Sequence, residues 1–176
     1  MPHFDTLALG DMLPSRTYTA SNVSLFLYNA AIWNPHRIHY DERYSTAIEK
    51  HPGVVIDGPL QGDWLTQVVN AWLGADGALV EFEYTNRRAS YLGDRLTAGG
   101  CIVALATARR EVTLELEIRD QNGQVTTPGR GATAALNSTL SQPAAGLLRQ
   151  RRDQDQDRQL ARARRWVIDC QPRCAP

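Results

Sequence analysis

The chain has 176 residues, room for one domain of ordinary size and too few for two full ones. Apolar residues make up 43% and charged residues 22%, which excludes a chain too polar to bury a core. Nineteen basic residues offset nineteen acidic ones, so no net field is available to hold nucleic acid or an anionic membrane, and the longest apolar runs, such as 101–106, fall far short of the roughly 18 residues of a spanning helix.

Residues 1–16 show no basic segment followed by an apolar block and a small-residue cleavage site, which points to a cytoplasmic protein. Ser21 is placed to cap a first helix that runs to about Ile32, with Val23, Leu27, Ala30 and Ala31 recurring at helical spacing. Pro35 ends that helix, because the residue before a proline is driven out of helical geometry. A short helical patch follows at 42–50. From Pro59 onward Leu60, Trp64, Leu65, Val68, Val69, Trp72 and Leu73 repeat over a broad face, predicting a long buried helix from Pro59 to Leu73 with Gly58 at its entrance and Gly74 as its stop.

Beyond residue 77 the apolar period changes from 3.6 to 2. In 78–88, Val80, Phe82 and Tyr84 alternate with Glu81, Glu83 and Thr85, as in a strand with one buried face. Gly93 and Asp94 mark a turn. Residues 95–110 form a long strand whose Gly99 and Gly100 suggest a bulge or sharp curvature. Residues 111–120 alternate Val112, Leu114, Leu116 and Ile118 with polar partners, and the QNGQ turn that follows leads to a last strand over 125–137. Helices first and then at least four successive antiparallel strands predict an α+β fold in which a curved sheet wraps a buried helix.

Composition shifts near residue 142, so a single domain is expected over 1–142 and an exposed tail over 143–176. Seven arginines lie between Arg149 and Arg165, but interleaved aspartates cancel much of their potential. The three cysteines, Cys101, Cys170 and Cys174, are odd in number and read as free thiols; Cys170 and Cys174 alone supply half of a zinc shell, so neither metal nor cofactor is expected.

Candidate functional residues cluster in 34–62, which holds three of the four histidines. His36 and His39 flank Arg37, with Asp41 two residues beyond His39; imidazole suits proton transfer near neutral pH, and a neighbouring carboxylate can orient it. In GVVIDGPL, Gly58 permits close approach of a ligand to backbone. The first helical turn there has amide donors free to stabilise a negative oxygen, and Pro59 has none to give.

The motif NPHRIHYD at 34–41, followed by PGVVIDGPL at 52–60, resembles the MaoC-type hot-dog-fold hydratases and dehydratases of acyl thioesters. It is most similar to the subgroup that includes mesaconyl-C4-CoA hydratase and the fungal mitochondrial 3-hydroxyacyl-thioester dehydratases. The resemblance implies a hot-dog fold, two such units pairing as a homodimer or heterodimer, and an acyl-CoA or acyl-carrier thioester as substrate. It implies reversible addition of water across the 2,3 double bond of an enoyl thioester. His39 would carry the proton, Asn34 would fix the loop and the Gly58 amide would polarise the carbonyl.

Two positions depart from the pattern. The broader family has an aspartate where this chain has Ile32, so a second carboxylate must come from elsewhere, Asp41 or Asp57. Asp57 stands where the subgroup has histidine, either as a replacement acid or base or as a helix cap. His36 is a candidate assistant to His39, and Arg37 a candidate partner for a carboxylate. The alternatives to a hydratase are a non-catalytic hot-dog subunit that completes a partner's site, and a thioesterase on the same fold.

Overall fold

The protein is described from a computed structural model that covers residues 3–75 and 77–134. The end of the domain at 142 and the 143–176 tail, with Cys170 and Cys174, lie outside the described residues.

Ser21 opens the first helix, α1 (Asn22–Ala31), with a reciprocal cap: its hydroxyl accepts from the Ser24 amide at 3.1 Å, while the Ser24 hydroxyl accepts from the Ser21 amide at 2.8 Å. The face it buries is not the one expected. Leu25 and Asn29 point inward, while Val23 and Leu27 are 67% and 60% exposed. Two apolar stripes run along this helix, and spacing alone does not say which one meets the core.

Asp41 caps the short helix α2 (Glu42–Ala47) by accepting from the Tyr44 amide. The long helix α3 (Gly58–Leu73) starts one residue earlier than expected and buries Trp64, Leu65, Val68, Val69 and Leu73, as its apolar spacing requires. Each such side chain contributes about 1.5–3 kcal/mol when fully buried. Gly62 is needed for close approach: a Cβ there would lie 2.6 Å from the Tyr84 ring.

Around α3 curls one antiparallel sheet of five strands in the order β1-β3-β4-β5-β2. The four expected strands are β2 (Ala78–Tyr84), β3 (Arg95–Ala106), β4 (Glu111–Arg119) and β5 (Val125–Ala134). The fifth, β1 (Arg16–Thr19), pairs with β3 and was not expected, because four residues at a sheet edge with one half-buried side chain carry no periodic signal. Tyr18 of β1 stacks on Trp64 of α3, with ring centroids 4.7 Å apart.

β2 is bulged: Leu79 pairs with Thr133 and Glu81 with Ala132, so Val80 is left out of the ladder and stands 53% exposed. Leu79, Phe82 and Tyr84 face the core instead. β3 is also bulged, though at Val103 rather than at Gly99 and Gly100, which pair regularly with Glu117 and Leu116. Gly100 serves curvature in another way, since a Cβ there would overlap the Glu115 carbonyl oxygen and sit 2.7 Å from Leu116. Ala104 and Ala106 lie on the outer side of β3, and Ala108 falls in the turn beyond it. The β4–β5 hairpin turns at Gly123 with φ 78°, as QNGQ suggests.

Because the atom opposing a Cβ at Gly100 is backbone and no rotamer change relieves it, Gly100→Ala is expected to destabilise the fold by roughly 1–3 kcal/mol. Urea unfolding of the variant against the wild type measures this.

Candidate active site

The loop between α1 and α2 and the segment before α3 are drawn together by main-chain bonds. The Val55 amide donates to the Ile38 carbonyl at 2.9 Å and the Ile56 amide to the Ser90 carbonyl at 2.8 Å, while the Leu92 amide donates to Val54 at 2.9 Å. Residues 54–56 are therefore tied on both sides, to the 36–41 loop and to the 90–92 segment. Val54 and Ile56 anchor the strip in the core.

His39 lies at the end of a 3-10 turn (Arg37–His39) and is 8% exposed. Its Nδ1 is 2.9 Å from the Val55 carbonyl oxygen. A carbonyl only accepts, so Nδ1 carries hydrogen and the neutral ring presents a bare Nε2. Nε2 faces Asp57 Oδ2 at 3.9 Å. That separation is too long for a direct hydrogen bond, and it suits an oxygen held between the two groups.

Asp57 is fully buried. It immediately precedes α3, yet its side chain makes no capping bond, so the cap expected as one of its two roles is not made. Oδ2 instead accepts from Asn34 Nδ2 at 2.8 Å, and Oδ1 has no hydrogen-bond partner among the described residues. Asn34 does double duty: its Oδ1 accepts from the His36 amide at 3.1 Å, which ties the loop to the carboxylate.

The remaining expected residues are placed differently. Asp41 spends its carboxylate on the cap of α2 and on Arg37, whose guanidinium donates to Oδ2 from Nε at 3.0 Å and from Nη2 at 2.6 Å. The Tyr44 amide and Arg37 together hold the Asp41 carboxyl below the usual carboxylate range. Arg37 also lies over the Tyr44 ring. The structure thus pairs Arg37 and Asp41 with each other. His36 is exposed, and its ring meets His39 edge-on with centroids 5.9 Å apart. Ile32 is half exposed and bears no acid toward this site.

His39 and Gly58 line a groove of about 270 Å³ that also takes in Gln61, Asn86, Arg87 and Arg88. These last four were not singled out from the sequence. The alternating pattern extends the strand to 88, but β2 stops at Tyr84; the Thr85, Arg87 and Arg88 amides still donate to carbonyls of β5, while Asn86 lies against Gly58. Gln61 offered a signal, being a polar residue on the inward side of an apolar helix. Gly58 is constrained by the same turn, since a Cβ on it would overlap Asn86 Nδ2. Among the described residues, no group of three or more His, Cys, Asp or Glu side chains is arranged to hold a metal ion, and no helix is long and apolar enough to cross a membrane.

Comparison with known proteins supports the resemblance carried by the two motifs. The family model for hydroxyacyl-thioester dehydratase type 2 matches residues 10–92. Mesaconyl-C(4)-CoA hydratase of Chloroflexus aurantiacus is 44% identical over 46 residues, covering 26% of this chain and 16% of that protein. The mitochondrial hydroxyacyl-thioester dehydratase type 2 of Saccharomyces cerevisiae is 28% identical over 58 residues, 33% of this chain and 21% of that protein. The chain therefore matches only a small part of the length of either relative. A solved MaoC-like dehydratase superposes with a TM-score of 0.71 at 21% identity, over 77% of this chain and 42% of that one. The fold is the hot-dog fold, a curled antiparallel sheet around a central helix.

The depressed carboxyl of Asp41 has a consequence for acid stability. A group whose folded value lies below its unfolded one contributes stability above the unfolded value, about pH 4, and loses it as pH falls through the folded value. Asp41→Asn should lower the melting temperature at pH 7 and narrow the gap to wild type as the solution is acidified below pH 4, followed by thermal melts from pH 7 to pH 2.

Proposed function

We propose that this chain adds water to, or removes it from, the 2,3 double bond of an enoyl thioester. The observation that carries the reading is the facing pair of His39 Nε2 and Asp57, 3.9 Å apart, with one buried carboxylate oxygen left unpaired among the described residues. A water seated there donates one hydrogen to the Asp57 carboxylate and the other to His39 Nε2. In the hydration direction its oxygen bonds to C3 of the alkene and its proton passes to Nε2. The π electrons move toward the thioester oxygen as an enolate, and the pair returns a proton to C2. Dehydration runs the same steps in reverse.

The imidazolium formed on the way is held from both ends, by the Val55 carbonyl at Nδ1 and by Asp57 at Nε2. The enolate oxygen finds the Gly58 amide at the start of α3, where the helix dipole favours negative charge. Asn34 keeps Asp57 in place. The unpaired oxygen also weighs against a non-catalytic subunit, because burying an unsatisfied carboxylate oxygen costs stability that a purely structural unit has no reason to spend.

The substrate carrier follows from the rim. Arg87 and Arg88 stand at the groove, anchored by their amides on the Thr126 carbonyl, and neither forms an ion pair among the described residues. Two guanidinium groups suit the phosphates of coenzyme A or of a phosphopantetheine arm. Pairing with a second hot-dog unit, identical or not, belongs to the same reading: β1 and β2 are sheet edges, and Val23, Phe26, Leu27 and Trp33 present apolar surface. A reducing cytoplasm, where Cys101 stays a free thiol, is its expected setting.

Crotonyl-CoA is the first probe, with loss of the conjugated thioester absorbance followed beside a free-thiol assay. Loss of absorbance without thiol supports hydration; release of thiol would make the protein a thioesterase instead. His39→Ala and Asp57→Asn should each lower turnover by at least ~100-fold with the fold retained, and wild-type rates in either folded variant would remove that residue from the proton path. Replacing Arg87 and Arg88 together by alanine should raise the KM for crotonyl-CoA roughly 10-fold and leave that for crotonyl-N-acetylcysteamine, which carries no phosphate, unchanged.

A further inference from the structure

Gln61 is the one buried polar side chain of α3 that the chemistry above does not use. It is 1% exposed, lines the groove with Gly58, and lies one helical turn beyond it. Residues three apart share a helix face, and helical side chains lean back toward the N-terminus, so the Gln61 amide projects over the first turn, where the Gly58 N–H emerges.

Its orientation is imposed from behind. Thr127 of β5, also fully buried, donates its hydroxyl hydrogen to Gln61 Oε1 at 2.8 Å. Asn86 Oδ1 lies 3.1 Å from the same hydroxyl. A hydroxyl has one hydrogen to give, and the shorter contact assigns it to Gln61. With Oε1 occupied on the inner side, the amide turns its Nε2 toward the groove, and Nε2 has no hydrogen-bond partner among the described residues.

We infer that Gln61 Nε2 is a second hydrogen-bond donor to the thioester oxygen, acting with the Gly58 amide, and that Thr127 is the positioning residue that aims it. This deepens the hydratase reading and rests on it. One amide donor leaves an oxygen that gains a full charge only half satisfied, whereas two donors on one helix face bracket it. As the double bond accepts water, charge grows on that oxygen, so the second donor acts more strongly on the transition state than on bound substrate.

The variant that decides this is Gln61→Met, an unbranched side chain of similar length with no amide donor. Removing Gln61 need not strand Thr127, because Asn86 Oδ1 is already within reach of its hydroxyl. The expected result is a loss of roughly 100-fold in kcat with crotonyl-CoA, little change in KM, and a smaller loss in Thr127→Val. A second readout is optical. Cinnamoyl-CoA absorbs at longer wavelength when its carbonyl is polarised, so its band should shift to the red on binding wild type, and less on binding Gln61→Met.

Unchanged kcat together with an undiminished red shift in folded Gln61→Met overturns the assignment. Should Gln61→Met not fold, Thr127→Val decides, and an unaltered kcat and red shift there overturn it equally. Wild-type protein that hydrates no enoyl thioester defeats the hydratase reading itself, and the cinnamoyl-CoA shift then still reports whether Gln61 donates to a thioester carbonyl.

Discussion

A carboxylate wholly withdrawn from water is expensive unless its oxygens are paired, and among the described residues Asp57 has only one of them paired. The rest of the site is arranged around that imbalance. Asn34 satisfies Oδ2, the His39 ring stands across a gap suited to one bridging oxygen, and Oδ1 is left as a buried acceptor with no partner among the described residues. The proposed reaction would place there a water or hydroxyl, the reactant of a hydration and the product of a dehydration.

The carboxylate is bonded by the Asn34 amide and not by the amides of the helix end. Asp57 has φ −59° and ψ 133° at the N-cap, yet its oxygens turn away from the first-turn amides of α3. The first-turn amides are thereby left unengaged by this carboxylate, and in the proposed reaction the base and the developing enolate oxygen would stand apart at the same helix end. The neutral tautomer of His39, set by the Val55 carbonyl, keeps the acceptor lone pair on the ring nitrogen nearer the carboxylate.

Much of this was legible in the sequence, for reasons specific to each element. The central helix and three of the strands announce themselves because their apolar period matches their burial, and the motifs at 34–41 and 52–60 name the loop and the helix mouth that meet. The edge strand β1 was invisible because four residues carry no period. The buried face of α1 was misread because Val23 and Leu27 repeat as regularly as Leu25 and Asn29 do. Asp57 stood between two roles until its side chain was located, and Asp41 turned out to be engaged by Arg37 and the amide of Tyr44. Asn86 and the two arginines after it follow the strand without a glycine or proline to mark its end at Tyr84, and their amides go on bonding to β5.

The strip 54–56 reaches its neighbours through main-chain atoms: two amide hydrogens, the Val54 and Val55 carbonyls, and no polar side chain. The placement of the His39 imidazole is therefore written in groups that every amino acid except proline shares. Exchanges among apolar side chains of similar volume along this strip leave these bonds in place, whereas a single proline at 55 or 56 would erase an anchor.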